Sequence, residues 1–277
     1  MPAFIDHVLA SGGNALWLDY VDYAGRLLAG GDVPWLDTAS CGSWLRKAQG
    51  LLRSDVVALP VDRVCGAWLG GHTGLRDAMR ARTRAVFPIK TLLADEALRA
   101  HLVALVQALR GSAPGPDFAL GCPSPRAWVA AAYSQAHDTN VDVGEDEADS
   151  AALYMADFLR SFGESGIQAL LLVETAASEP ASSAEVACYQ SVVNVAGHYR
   201  WDVGLGVPGL RFAGEGTGFD FCIGPRPIPG CIFGRTIDPG FWDGAPAIAA
   251  PASGFRYATV PASEEPERVL DRLALLR

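Results

Sequence analysis

The sequence predicts a single-domain α/β protein of the (β/α)8 barrel class. Three observations carry that expectation. Short apolar segments, about eight of them, recur along the chain, bounded by Gly, Pro or Asp and separated by stretches of helical periodicity. The 277 residues suit such a barrel, which typically needs about 250. Half the residues are apolar and 19% are charged, so a large core can form. A doubly wound sheet is the alternative arrangement of the same elements.

The elements follow in order. "LWLDYVDYAGRLLAGG" spaces Leu16, Tyr20, Tyr23, Leu27 and Leu28 along one helical stripe and stops at Gly30-Gly31. It predicts a helical extension over residues 1–32, with the barrel spanning 33–277. "DVPWLD" is then a candidate first strand, and Trp44 to Leu52 a helix. "DVVALPVD", residues 55–62, is β-branched, short and bounded by aspartates, as a strand should be. "LADEALRAHLVALVQALRGS" places Leu98, Leu102, Leu105, Val106 and Leu109 on one helical face, acidic at its start and closed by Arg110-Gly111. "DFALGCPSP" is a strand entering a turn, "RAWVAAAYSQA" and "EDEADSAALYMADFLRSFGESG" are helices, and "ALLLVE" is a strand ending in Glu174. Glu185 to His198 is helical. "WDVGLGVP", "FDFCIG", "CIFGRTI" and "FRYATVP" are strands, and "SEEPERVLDRLALL" is a closing helix with Ser263 as its N-cap.

Composition narrows the function. The net charge of −9, from 22 basic and 31 acidic residues, argues against a nucleic-acid partner. No apolar run reaches the length of a membrane span, and "MPAFIDHVLASGG" lacks the basic start and long apolar stretch of a secretory signal. The six cysteines form no C-x-x-C, so reduced thiols in a cytoplasmic protein are expected. "GLGVPG" (Gly204, Gly206, Gly209) matches a dinucleotide fingerprint in form only, because Pro208 interrupts it. A small-molecule substrate and no cofactor are expected, and a homodimer is compatible with the sequence.

Several segments resemble the uroporphyrinogen decarboxylase-like superfamily, in that family's order and over most of the chain. "GRLLAGGDVPW" looks like the leading helix and first strand of many members. "DVVALPVD" followed by Gly71 is similar to the second strand, with two aspartates seven apart and a glycine nine beyond. "ALGCPSPRAW" resembles the third-strand turn, and "SFGESGIQALLLVE" the helix-glycine-strand with an acidic end. "GRTIDP" resembles the segment after the seventh strand. The family's R-Q-A-G-R turn and G-H-G segment have no counterparts here, which points away from uroporphyrinogen as the substrate. The resemblance implies a β/α barrel and a decarboxylase-like or methyl-transfer chemistry. Its methyltransferases hold zinc with an H-x-C pair and a later cysteine. None of the five histidines stands two residues before a cysteine, so no metal is expected; convergence of Cys122, Cys222 and Cys231 in space is the remaining route.

Barrels place chemistry at the C-terminal ends of their strands. That rule selects Asp62 and Glu174 as candidate catalytic acids, Asp62 also by its match to the family's spacing. It selects Asp37, Cys122, Ser124, Arg226 and Arg235 as substrate-binding candidates, the arginines as forks for a carboxylate. His72, in "GGHTG", is added as a loop acid or base. Asp62 and Glu174 are expected to face one cavity. The competing roles are an N-cap or loop acid for Asp62 and an ion pair for Glu174. The reaction expected is a cofactor-independent carbon–carbon lyase, most simply a decarboxylase of a small carboxylated or aromatic compound. Methyl transfer to or from a thiol or corrinoid, and a non-enzymatic binding barrel, are the alternatives.

Overall fold

The computed structural model describes residues 4–175, 183–209, 212 and 218–277. The chain opens with helix α1 (Phe4–Ala10), strand β1 (Leu16–Asp19) and helix α2 (Val21–Ala29). Then come α3 (Thr38–Leu52), β2 (Val56–Pro60), α4 (Val61–Gly71), α5 (Thr73–Met79), α6 (Phe87–Leu93) and α7 (Glu96–Ser112). Next are β3 (Asp117–Pro123), α8 (Pro125–His137), α9 (Glu145–Leu159) and β4 (Ala169–Val173). The last part holds α10 (Ser183–Val186), α11 (Gln190–Tyr199), β5 (Asp202–Gly206), β6 (Phe221–Gly224), β7 (Ile232–Thr236), β8 (Gly254–Thr259) and α12 (Pro266–Ala274). The eight strands are parallel and close in sequence order, with β8 returning to β1. The fold is the expected (β/α)8 barrel.

The first strand is not where the periodicity placed it. Leu16–Asp19 is β1, inside the segment read as a helical extension, and only α2 beyond it is helical. "DVPWLD" is a loop whose last residue, Asp37, caps α3 by accepting from the Ser40 backbone N–H at 2.6 Å. The barrel therefore begins at residue 16, and α1 is what precedes it. The closing helix also starts later than expected, with Glu265 rather than Ser263 at its N-cap and Pro266 as its first residue.

The barrel interior explains why these strands are so apolar. Trp17, Val56, Ala119, Ala169, Phe221 and Phe255 meet inside it, and α1 closes the lower end by inserting Phe4 and Val8. The Phe4 ring stands edge-on to Trp17, Phe221 and Phe255, with centroids 5.6, 5.0 and 5.6 Å away. Two glycines make room for these rings. A Cβ at Gly204 would lie 2.1 Å from the Phe221 ring, and one at Gly234 would lie 2.4 Å from Phe255. Asp202 accepts from the Ile5 backbone N–H at 2.8 Å, and His7 bonds Asp117 at 2.8 Å, so α1 is tied down.

Outside the barrel, the expected stripe of α7, Leu98 to Leu109, is buried throughout. Helical cover is uneven. Among the described residues no α-helix lies between β5 and β8, only the short 3-10 turn Pro239–Phe241. None of the described helices is long and apolar enough to cross a membrane.

Candidate functional site at the barrel mouth

Strand alternation decides what the upper end of the barrel presents. On β1, Trp17 points inward, so Asp19 does too. On β8, Phe255 and hence Tyr257 and Thr259 face inward. On β4, Leu171 and Val173 do. Two cavities share this mouth and meet at Leu171, Val173 and Tyr257. The first, about 330 Å³, is bounded by β1 to β4 and holds Asp19, Asp62, the Asp22–Arg63 ion pair (3.2 Å) and the wall of Trp35. The second, about 550 Å³, lies over β4 to β8 and is lined by Val207, Ile223, Thr236, Ile248 and Thr259.

The first cavity carries two unusual acids. Burial raises the Asp19 carboxyl above its ordinary value; the Val21 N–H opposes this, Asp22 adds to it, and Tyr257 and Arg63 oppose it. The Tyr257 hydroxyl donates to Asp19 Oδ2 at 3.4 Å. Asp62 lies in the first turn of α4, two residues past the end of β2. It is not the N-cap, which is Pro60. Its side chain is exposed to the mouth yet ringed by protein, and this desolvation raises its carboxyl against the pull of Arg63 and the helix-start N–H groups. Both acids therefore hold a proton more readily than a surface aspartate.

Glu174 does different work. It is buried, and its backbone N–H continues the ladder to the Gly206 carbonyl. Val173 faces the mouth, so Glu174 is turned away from the barrel axis. Ser124 donates to its Oε2 at 2.7 Å and Tyr189 to its Oε1 at 2.6 Å. Ser124 also caps α8 by accepting from the Ala127 N–H at 3.1 Å. The strand ends in a glutamate because that carboxylate ties the start of α8 and the start of α11 to β4. Asp62 and Glu174 sit at the same end of the barrel, as expected, but at different cavities: Asp62 at the first, Glu174 in the wall of the second.

The other sequence candidates are scattered. Cys122 is buried in the wall of the first cavity, near Cys65, and burial pushes its thiol well up. Asp37 is the exposed α3 cap, lowered by the Ser40 N–H. His72 stacks on Trp68 with centroids 4.0 Å apart and bonds its carbonyl, at the α4–α5 junction. Arg226 is exposed in the β6–β7 turn. Arg235 follows inward-facing Gly234, so its side chain leaves the barrel axis and donates to the Ala249 carbonyl at 3.3 Å, at the rim of the second cavity. Cys222 and Cys231 lie against each other, while Cys122 lies apart from them, near Cys65. Among the described residues no group of three or more His, Cys, Asp or Glu is arranged to hold a metal ion, so the donor set for a zinc is missing there.

Sequence reasoning missed Asp19 and Tyr257. The signal for Asp19 was present: "LWLD" ends an apolar run in a carboxylate just as "LLLVE" does. Comparison with protein-family models, with curated proteins and with solved structures found no match.

Proposed function

We propose that the protein is a cofactor-independent carbon–carbon lyase, most simply a decarboxylase, acting on a small carboxylated compound with an aromatic or apolar body. One observation carries the reading: two aspartates of raised pKa open into an apolar, aromatic-walled cavity at the functional end of the barrel. The order of the segments that resemble the uroporphyrinogen decarboxylase-like superfamily supports it from "DVVALPVD" onward; in the first of them, "DVPW" is a loop rather than a strand. Decarboxylation breaks the carbon–carboxyl bond and leaves its electron pair on carbon. That carbon then takes a proton, and a carboxylic acid kept protonated by burial is suited to give it. We assign this transfer to Asp19, the more enclosed acid. If Asp19 protonates the ring carbon before carbon dioxide leaves, the ring carries positive charge until the carbon–carboxyl bond breaks, and Asp62 in its ionised form, favoured by Arg63 and the helix start, is suited to stabilise that charge. Solvent returns the proton to Asp19. The six free cysteines fit a reducing, cytoplasmic setting.

The test is a panel of aromatic and heteroaromatic acids labelled in the carboxyl carbon, scored by labelled carbon dioxide. Asp19→Asn and Asp62→Asn should each lower release by roughly a hundredfold or more while the protein stays folded. Panel members that bind without any release would favour a binding barrel instead.

A further inference from the structure

Tyr257 is where the two cavities meet, and it touches both. Its hydroxyl donates to Asp19 in the first cavity. Thr259 lies two residues further along the same face of β8, so its side chain neighbours that of Tyr257. Thr259 is exposed and belongs to the second cavity, and in the β1–β8 register it stands level with Asp19. Three polar side chains thus line up at one corner of an otherwise apolar mouth, running from the smaller cavity to the larger one.

We propose that Tyr257 is a positioning residue that holds Asp19 and links it, through Thr259, to the solvent of the second cavity. The proposal rests on Asp19 being a working acid of the first cavity. A substrate that fills 330 Å³ would cut Asp19 off from water on its own side. The second cavity would stay open. The Tyr257 hydroxyl then gives its proton to Asp19 Oδ2 and takes one from Thr259, which takes one from a water of the second cavity and leaves hydroxide to the bulk solvent. The sum is one proton moved from solvent to Asp19, with both hydroxyls restored. The other charged groups facing Asp19 are Asp22 and Arg63, which form an ion pair with each other.

The test reads protons rather than turnover. Carbon-13 spectra of the aspartate carboxyls, with Asp19 assigned through Asp19→Asn, give its titration midpoint. Tyr257→Phe removes a donor to the carboxylate and should raise that midpoint by about one unit. Thr259→Val should raise it by less. The second arm follows exchange of the Tyr257 hydroxyl proton with solvent, through the isotope shift on its ring carbon. Ile248→Trp, which narrows the second cavity, should slow that exchange several-fold. An Asp19 midpoint unmoved by Tyr257→Phe would overturn the positioning role. Exchange unaffected by Ile248→Trp would overturn the route. Loss of turnover in Asp62→Asn with neither effect present would leave the proposed reaction standing and remove only the link.

Discussion

Truncating Glu174 should unfold the barrel mouth more than it impairs chemistry. The side chain is 2% exposed and accepts from the Ser124 and Tyr189 hydroxyls at 2.7 and 2.6 Å. Hydrogen bonds to a charged acceptor contribute about 1.5–3 kcal/mol each. They share one carboxylate, so their loss is less than additive. Glu174→Ala also leaves a cavity and removes the carboxylate acceptor of the buried Tyr189 hydroxyl, whereas Ser124 keeps its capping role. A net cost of about 2–4 kcal/mol follows. Glu174→Gln preserves shape and one good acceptor, so about 1 kcal/mol is expected. For a chain of this size each kcal/mol moves the melting temperature by about 2–4 °C. The alanine variant should therefore melt about 5–12 °C below the parent and the glutamine variant about 2–4 °C below it. Thermal melts and urea titrations of the three proteins give the comparison. Variants that melt with the parent but lose all turnover would refute the bracing role and return Glu174 to the list of catalytic acids.

Other outcomes follow from the same physical picture. Gly204→Ala would press a methyl group into the Phe221 ring, 2.1 Å away, and should cost about 1–3 kcal/mol; adding Phe221→Leu should make the double variant less destabilised than the sum of the two singles, and simple additivity in melts would contradict the inward register of β5. The raised pKa of Asp62 means that the folded state binds its proton more readily than the unfolded chain does, so its contribution to stability is full below the ordinary carboxylate range and is lost as pH rises through the raised value. Asp62→Asn should therefore melt higher than the parent at neutral pH, with the gap closing below about pH 4, and a lower melt at neutral pH would count against the desolvated site. Burial pushes the Cys41 thiol up to about 12 and the Cys122 thiol well above its ordinary value, so both should resist a disulfide reagent at pH 8 in the native protein; rapid labelling of Cys122 would contradict that burial.

Most strands were legible because parallel barrel strands are buried on both faces and stand out as short apolar runs between breakers. "ALLLV" and "FCIG" are of this kind. β1 was hidden for a definite reason. It has only four residues and runs into α2 with Tyr20 alone between them, so Leu16, Tyr20 and Tyr23 mimic one helical stripe across two elements. "DVPWLD" offered a decoy with strand-like composition, and the capping bond of Asp37 is what marks it as a helix start. That one error concealed Asp19. For Glu174 the position was legible but not the direction. Five apolar residues in a row carry no mark of which face points inward, and a one-residue change of face separates a mouth acid from a buried brace. Pairing of Tyr257 with Asp19 spans 238 residues and has no local signature.

Asp19 and Asp62 share one cavity at the barrel mouth, and desolvation there raises both carboxyls. Carboxyl carbon-13 titration of the intact protein, with each signal assigned by its asparagine variant, measures this without knowledge of the substrate. Both midpoints should lie above the ordinary aspartate value of about 3.9, while exposed Asp37 should titrate below it. Asp19 and Asp62 titrating at or below the ordinary value would mean that the mouth holds two common surface carboxylates, and the proposed acid chemistry would have no residue to carry it.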